Sequence, residues 1–527
     1  HGFLLGGKIN IDTRIGDCGS ILCINSPSGW TISGYHALGK PGFSWSIGIT
    51  QKDIMQCKFL ADVSQGVEAL SLHSDDVNNE IINLNKKSVF RYIPDGVAEI
   101  YGSFAGFRAR PRSRVGPTLI RSFLPQEEYP VNYTSPTMSG YTPWRLAALD
   151  MVSPNSDVDP EYLYESELSL RKHVCEHVDD IKKMVHKYPT DVAINGSPGI
   201  AYVDAINRKS SMGFPWNCPK KKYYRLCPPS ETCQDPIEFT EDIMRRVKTI
   251  ENSYRSGRRV RPIFKAHLKD EPVTFKKKES GKTRVFMGAP IDFTIVVRKY
   301  LMGFIRFCQN KRHLIECGPG TIAQSHEWGD LYKYLTYHGN DRIIAGDFKA
   351  FDRTMNIHFL NCAFAIIKEV CVISGNYDAT DLRVIDCIKE DIIYPTVDYN
   401  GDLVSFVGIN PSGNPLTVIL NGLVNSLYMR YAYTHTNPRH TCVNFNKHVN
   451  LQTYGDDNIQ GVSREATWYN HTTIQRALET INVIYTMADK EAESVPYISI
   501  DDADFLKRSF RFDEDVGDYL AVIKHDT

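Results

Sequence analysis

Four carboxylates stand out by type and spacing. The segment Arg342-Ile-Ile-Ala-Gly-Asp347 reads as a buried strand that ends in an acid, and Asp352 follows five residues later, where the chain should turn toward a helix. About a hundred residues on, Leu451-Gln-Thr-Tyr454-Gly455-Asp456-Asp457-Asn458-Ile459 reads as two short strands around a tight turn, with glycine supplying the permissive backbone. Adjacent acids repel, so such a pair facing Asp347 makes physical sense when divalent cations neutralise the cluster. Two Mg²⁺ ions about 4 Å apart, with Mn²⁺ as a substitute, would lower the pKa of a 3′-hydroxyl and hold phosphates for in-line transfer.

Such a site needs a large scaffold, and 527 residues supply one. With 42% hydrophobic and 23% charged residues the chain is globular in composition, which excludes a disordered or collagen-like polymer. The net charge is -1, but the charges are concentrated: Arg261 to Arg284 carries eight Lys or Arg against three acids. Arg108, Arg110, Arg112, Arg114 and Arg121 form a second basic run, and either run could face a phosphate backbone. Thirteen cysteines are too sparse for a disulfide scaffold, and no apolar run approaches 18 residues, so no transmembrane segment is expected.

Residues 1–60 are rich in β-prone runs broken by Gly, Pro and Ser, and read as antiparallel strands. A polar stretch at 61–94 reads as a linker, and Glu165 to Lys187 carries helical spacing. Beyond residue 210, helices such as Pro236 to Ser253 and Ile357 to Val370 alternate with short strands, an α+β pattern.

Seven motifs appear in an order that resembles the RNA-dependent RNA polymerases of positive-strand RNA viruses, specifically the picornavirus-like group and its insect-infecting members. They are Ser210-Ser211-Met-Gly213-Phe-Pro215; Lys269-Asp-Glu271 through Gly281-Lys-Thr-Arg284; Asp347 to Asp352; Ser412-Gly413-Asn414 with Thr417 and Asn421; Tyr454 to Asp457; Ala488-Asp489-Lys490; and Phe505-Leu-Lys-Arg-Ser509. The resemblance implies a right-hand fold: N-terminal extension and fingers over 95–340, palm over 341–504, and a palm-thumb junction with a largely missing thumb over 505–527. It implies that Asp347, Asp456 and Asp457 ligate metal, and that Lys490 protonates departing pyrophosphate. Lys269, Lys277 and Arg284 would clamp the triphosphate, while Asp352, Ser412, Gly413, Thr417 and Asn421 would meet the incoming nucleotide, with Asp352 and Asn421 reading its 2′-OH. Ser211, Gly213, Pro215, Lys507 and Arg508 would touch template or primer.

The first residues also resemble the closing half of a chymotrypsin-like viral cysteine protease. Thr13-Arg-Ile-Gly16-Asp17-Cys18-Gly19-Ser20 would carry the nucleophile Cys18, and Gly34-Tyr-His36 would line a glutamine pocket. Without an upstream general base, Cys18 is expected to be inactive in this chain. The expected architecture is therefore a partial antiparallel β-barrel, a junction and a polymerase. Expected partners are RNA template and primer, ribonucleoside triphosphates, a protein primer and other viral replication proteins, at membrane-associated complexes in the host cytoplasm. The alternative is a catalytically incompetent polyprotein segment that binds RNA or viral partners.

Overall fold

The computed structural model describes residues 79–93, 98–105, 111–125, 130–153, 156–229, 233–489 and 492–523, and the backbone of strands within 4–48. Those first strands, Leu4–Lys8, Ile21–Ser26, Gly29–Lys40 and Phe43–Gly48, form one antiparallel sheet in the order first, fourth, third, second. The rest is a mixed α+β body.

Its centre is a four-stranded antiparallel sheet in the spatial order Val449–Tyr454, Asp457–Val462, Ile343–Phe348, Tyr485–Met487. Side chains alternate across a strand, and here both faces are covered. Ile344 and Phe348 enter the main core, whereas Ile343, Ala345 and Ile459 enter a second one with Trp328, Leu331, Phe505 and Phe510. This two-sided burial explains why Ile343 to Ala345 is apolar without alternation. The helix Thr417–Thr436 lies along the main-core side, buried on nearly every turn. Gly422 permits its approach, since a Cβ there would meet Thr453 Oγ1 at 2.9 Å.

A separate six-stranded sheet runs Val285–Gly288, Ile263–Leu268, Thr396–Tyr399, Asp402–Ser405, Glu99–Phe104, Ile81–Ile82. Residues 79–93 thus belong to the packed body although the sequence reads as a linker there: Ile81 pairs with Phe104, and Val89 and Phe90 are buried. The edge strand Val285–Gly288 meets the loop ahead of the Thr417–Thr436 helix at a seam. Gly288 bridges Gly413, and a Cβ on Gly413 would meet Met287 O at 2.3 Å, so only glycine fits.

Two expected helices differ from the sequence reading. The segment expected as one helix from Glu165 to Lys187 is two, Pro160–Cys175 and Val178–Met184, broken at His177 with ψ of 49°. The first starts early because Asp159 caps it, accepting from Glu161 N at 2.9 Å, with Pro160 at the tolerant first position. The stretch Pro236 to Ser253 begins as a strand, Ile237–Phe239, and the helix spans Glu241–Arg255. One helix, Ile357–Ser374, is long and apolar enough to cross a membrane by composition. Here it is a core helix, with Phe359, Leu360, Ala363 and Ile367 fully buried and Lys368 paired with Asp386 at 2.7 Å.

Candidate active site

Strand register sets where two of the three palm aspartates stand. Ile343–Phe348 pairs with Asp457–Val462 so that Gly346 lies opposite Asn458. One step further along the same register sets Asp347 opposite Asp457, and both side chains leave the face that carries Ala345 and Ile459. Directly opposed residues hold their Cβ atoms roughly 5 Å apart. Asp456 occupies the turn itself, where Gly455 has φ of +65°, a left-handed conformation that glycine adopts without strain.

What fixes this turn is a residue the sequence reading passed over. Asn425, fully buried on the Thr417–Thr436 helix, donates from Nδ2 to the carbonyls of Gly455, Asp456 and Asp457 at 3.1, 3.0 and 3.3 Å. Its Oδ1 accepts from Asn458 Nδ2 at 3.1 Å, and Asn458 Oδ1 accepts from Tyr485 OH at 2.8 Å. The Tyr485 ring covers Gly346, where a Cβ would lie 2.0 Å from ring carbon. Asp347 is oriented by its neighbour, Oδ1 accepting from Phe348 N at 2.5 Å.

A buried ion pair braces the other strand of the hairpin. Arg430 reaches Glu316 with two bonds of 2.7 Å, both side chains being essentially inaccessible. Burial opposes ionisation of Glu316, yet the Arg430 guanidinium holds its carboxyl below the usual carboxylate range. The backbone carbonyl of Glu316 then accepts from both Thr453 N and Thr453 Oγ1, at 2.9 and 2.7 Å. Sequence offers no signal for this pair, since 114 residues separate the partners.

Asp352 sits in the 3₁₀ turn Phe351–Arg353, and the cap of the following helix is Asn356. Asn421 Nδ2 donates to Asp352 Oδ1 at 2.5 Å. Burial pushes the Asp352 carboxyl up to about 6; Asp456 acts in the same direction, whereas the Asn421 bond, Arg284 and Arg353 oppose it. Those influences bring an acid of the hairpin, an acid of the central strand's turn and an arginine of the basic segment into one electrostatic neighbourhood. The remaining nucleotide candidates are divided in character. Ser412 Oγ accepts from Met287 N at 3.4 Å, Gly413 presses on the seam, and Thr417 Oγ1 donates to Pro411 O at 3.2 Å.

The basic candidates are exposed. Lys269 and Arg284 both pair with Glu271, at 2.8 and 3.5 Å, and Lys277 stands on the short helix Phe275–Glu279. Lys282, absent from the sequence-based set, belongs with them: its pKa is lowered, chiefly by burial and then by the charges of Lys349, Arg353 and Lys277 against Asp150.

Of the template candidates, Ser211 is exposed, whereas Gly213 and Pro215 are buried. A Cβ on Gly213 would meet Ala289 O at 2.7 Å, so a side chain does not fit there. Lys507 is exposed at φ of +60° beside the hairpin Arg508–Asp513 and Asp518–Ile523, while Arg508 donates within that hairpin to Ala521 O at 2.8 Å. Lys490, Cys18 and the side chain of His36 lie outside the described residues.

The residue types fit a hard divalent cation, which prefers carboxylate oxygens as ligands. Among the described residues no three His, Cys, Asp or Glu side chains are gathered into a ready cage. That is compatible with Mg²⁺, which is ordinarily held by one or two carboxylates and completed by water and substrate phosphate.

The chain is also similar to known proteins. The family described as viral RNA-dependent RNA polymerase matches residues 122–520. The replicase polyprotein of Acute bee paralysis virus (strain Rothamsted) is 27% identical over 557 aligned positions, covering 99% of this chain and 28% of its own length. That of Drosophila C virus (strain EB) is also 27% identical, over 98% of this chain and 30% of the polyprotein. The RNA1 polyprotein of Cowpea mosaic virus (strain SB) is 27% identical over 70% of this chain and 20% of its own length. The chain thus spans less than a third of these relatives. Among solved structures, Sicinivirus 3Dpol RNA dependent RNA polymerase superposes with a TM-score of 0.65 at 19% identity, covering 80% of this chain and 83% of that one, a likeness of fold. With its acidic hairpin, its ordered motifs and a family match over most of its length, the chain belongs to the viral RNA-dependent RNA polymerases.

Proposed function

We propose that this chain joins ribonucleoside triphosphates to the 3′-end of an RNA primer under the direction of an RNA template. The observation that supports the reading is the register that pairs Gly346 with Asn458, one step short of Asp347 and Asp457 on neighbouring strands, with Asp456 in the adjoining turn. Asp347 and Asp456 are the principal residues that would hold a pair of Mg²⁺ ions, with Asp457 beside them. When bound, such ions supply activation of the attacking hydroxyl and charge stabilisation at the phosphates.

The chain's own residues do the rest. Asn425 keeps the turn rigid, so the carboxylates need no reorganisation when substrate arrives. Lys269, Lys277, Lys282 and Arg284 draw in the triphosphate as a field of mobile cations. Asp352 and Asn421 meet the sugar, a hydroxyl of which can donate to the one and accept from the other. Ser211 and Lys507 offer polar and cationic contacts to template and primer. Lys490 supplies the proton to pyrophosphate.

In the same reading the chain is part of a replicase polyprotein of an insect picorna-like virus, working with a protein primer and other replication proteins at cytoplasmic membrane complexes. Its first strands, with Cys18 and His36, are the closing part of a cysteine protease. The near-complete alignment with insect-virus replicase polyproteins supports this order of parts.

The test is primer extension by the full chain on a defined RNA template with Mg²⁺. Template-directed addition that is lost in Asp456→Asn supports the reading, and addition that survives the substitution overturns the metal assignment. Salt-sensitive RNA binding with no nucleotide addition would instead favour the RNA-binding precursor segment.

A further inference from the structure

A side-chain amide has a donor end and an acceptor end, and only its partners decide which way it faces. Behind Asp352 that decision is traceable to the main chain. Leu416 N can only donate, and Asn414 Oδ1 accepts from it at 2.8 Å. Pro411 O can only accept, and Asn414 Nδ2 donates to it at 2.8 Å. Asn414 therefore has one orientation. Its Nδ2 also donates to Asn410 Oδ1 at 2.8 Å, which commits Asn410 Nδ2 to Asn421 Oδ1 at 2.6 Å. Asn421 is left with its own Nδ2 toward Asp352 Oδ1.

The circuit closes on itself, because Asn410 N donates to the Asp352 carbonyl at 2.9 Å. Asn410, Asn414 and Asn421 are 2%, 5% and 5% exposed, so water is poorly placed to replace a lost partner. A reversed Asn421 would aim its oxygen at the Asp352 carboxylate, an acceptor against an acceptor.

We propose that Asn410 and Asn414 are positioning residues for sugar selection: through a one-way chain of amides they hold Asn421 as donor and Asp352 as acceptor toward the ribose 2′-hydroxyl. The inference rests on the reading that Asp352 and Asn421 meet the sugar, and adds what sets their polarity.

The experiment compares binding of ATP and of 2′-deoxy-ATP to the full chain with primer and template RNA, for the intact protein, Asn410→Asp, Asn410→Leu and Asp352→Ala. Asn410→Asp removes the donor and turns Asn421 around; Asn410→Leu removes it with similar volume and buries no charge, so it decides the question if the first variant does not fold. Both should lower the preference for ATP by about tenfold, the loss of one hydrogen bond made to a charged group, with 2′-deoxy-ATP affinity unchanged. Equal loss for both nucleotides would reduce Asn410 to a scaffold residue and overturn the proposal. Preference lost in Asp352→Ala but kept in both Asn410 variants would overturn the relay alone. An intact chain with no preference for ATP would overturn the sugar reading and the relay with it.

Discussion

In the palm sheet, the carbonyls of Gly455, Asp456 and Asp457 converge on the one buried amide of Asn425, and Thr453 hangs from a carbonyl braced by Arg430 and Glu316. In the segment from Lys269 to Arg284, two cations share a single partner, Glu271, and Arg284 remains 66% exposed. The acids are held by buried bonds, where a lost partner cannot be replaced by water and each bond counts fully. The bases are held by solvent-facing pairs that each contribute little and yield to a stronger anion. Rigid anions can cage small ions at fixed distance, and loose cations can follow a triphosphate as it binds and leaves.

That contrast orders the consequences of mutation. Replacing Asp347 or Asp456 by Asn should lower nucleotide addition at least about a thousandfold, several kcal/mol of lost charge stabilisation, with circular dichroism unchanged. Residual addition within tenfold of the intact chain would place the metal elsewhere.

Next comes the brace. Glu316→Gln leaves Arg430 buried without a counter-charge and should cost about 3–5 kcal/mol in urea unfolding, far more than breaking the exposed Arg464 and Asp341 surface pair. Equal costs would erase the distinction between the two regions.

Asn425→Leu, which frees the three turn carbonyls, should slow addition by about 10- to 100-fold at saturating nucleotide while leaving RNA affinity intact. Arg284→Ala, by contrast, should act on the nucleotide KM, raising it by about tenfold, with the effect shrinking as salt rises. A salt-independent effect would show that Arg284 works through a buried contact.

The smallest effect concerns protons. Asp352 holds its proton up to about 6 in the fold, against 3.8 for the free side chain, so between those values the folded protein binds a proton that the unfolded chain has released. Its contribution to stability is full below pH ~4 and lost as the pH rises through about 6. Measured in chelator, the melting temperature of the intact chain relative to Asp352→Asn should therefore decline across that window. A flat difference would mean that the carboxyl titrates as if exposed.

The acids were legible in sequence because strand pattern and turn composition are local, and Asp347, Asp456 and Asp457 each end or join a short apolar run. The residues that hold them were not, because an amide's role is fixed by partners brought from elsewhere. Asn425 looks like any polar residue in a helix, although it falls one turn after Asn421 on the same face, a spacing that could have flagged it. Glycines carried a partly readable signal: Gly413 and Gly213 matched motif positions, but their reason, backbone pressed against Met287 and Ala289, needed the folded chain. The break at His177 escaped notice because apolar periodicity continues across it, and only the cap at Asp159 marks where the first helix truly starts.

The contact between Gly346 and Tyr485 ties two distant codons together. A methyl group on the first demands a smaller partner at the second, and that partner loses the hydroxyl that steadies Asn458. Drift at either site alone passes through a crippled intermediate, so lineages should keep this glycine and tyrosine as an inherited pair or exchange both at once. Counting which combinations coexist among replicating variants would read that linkage directly, without purifying a protein.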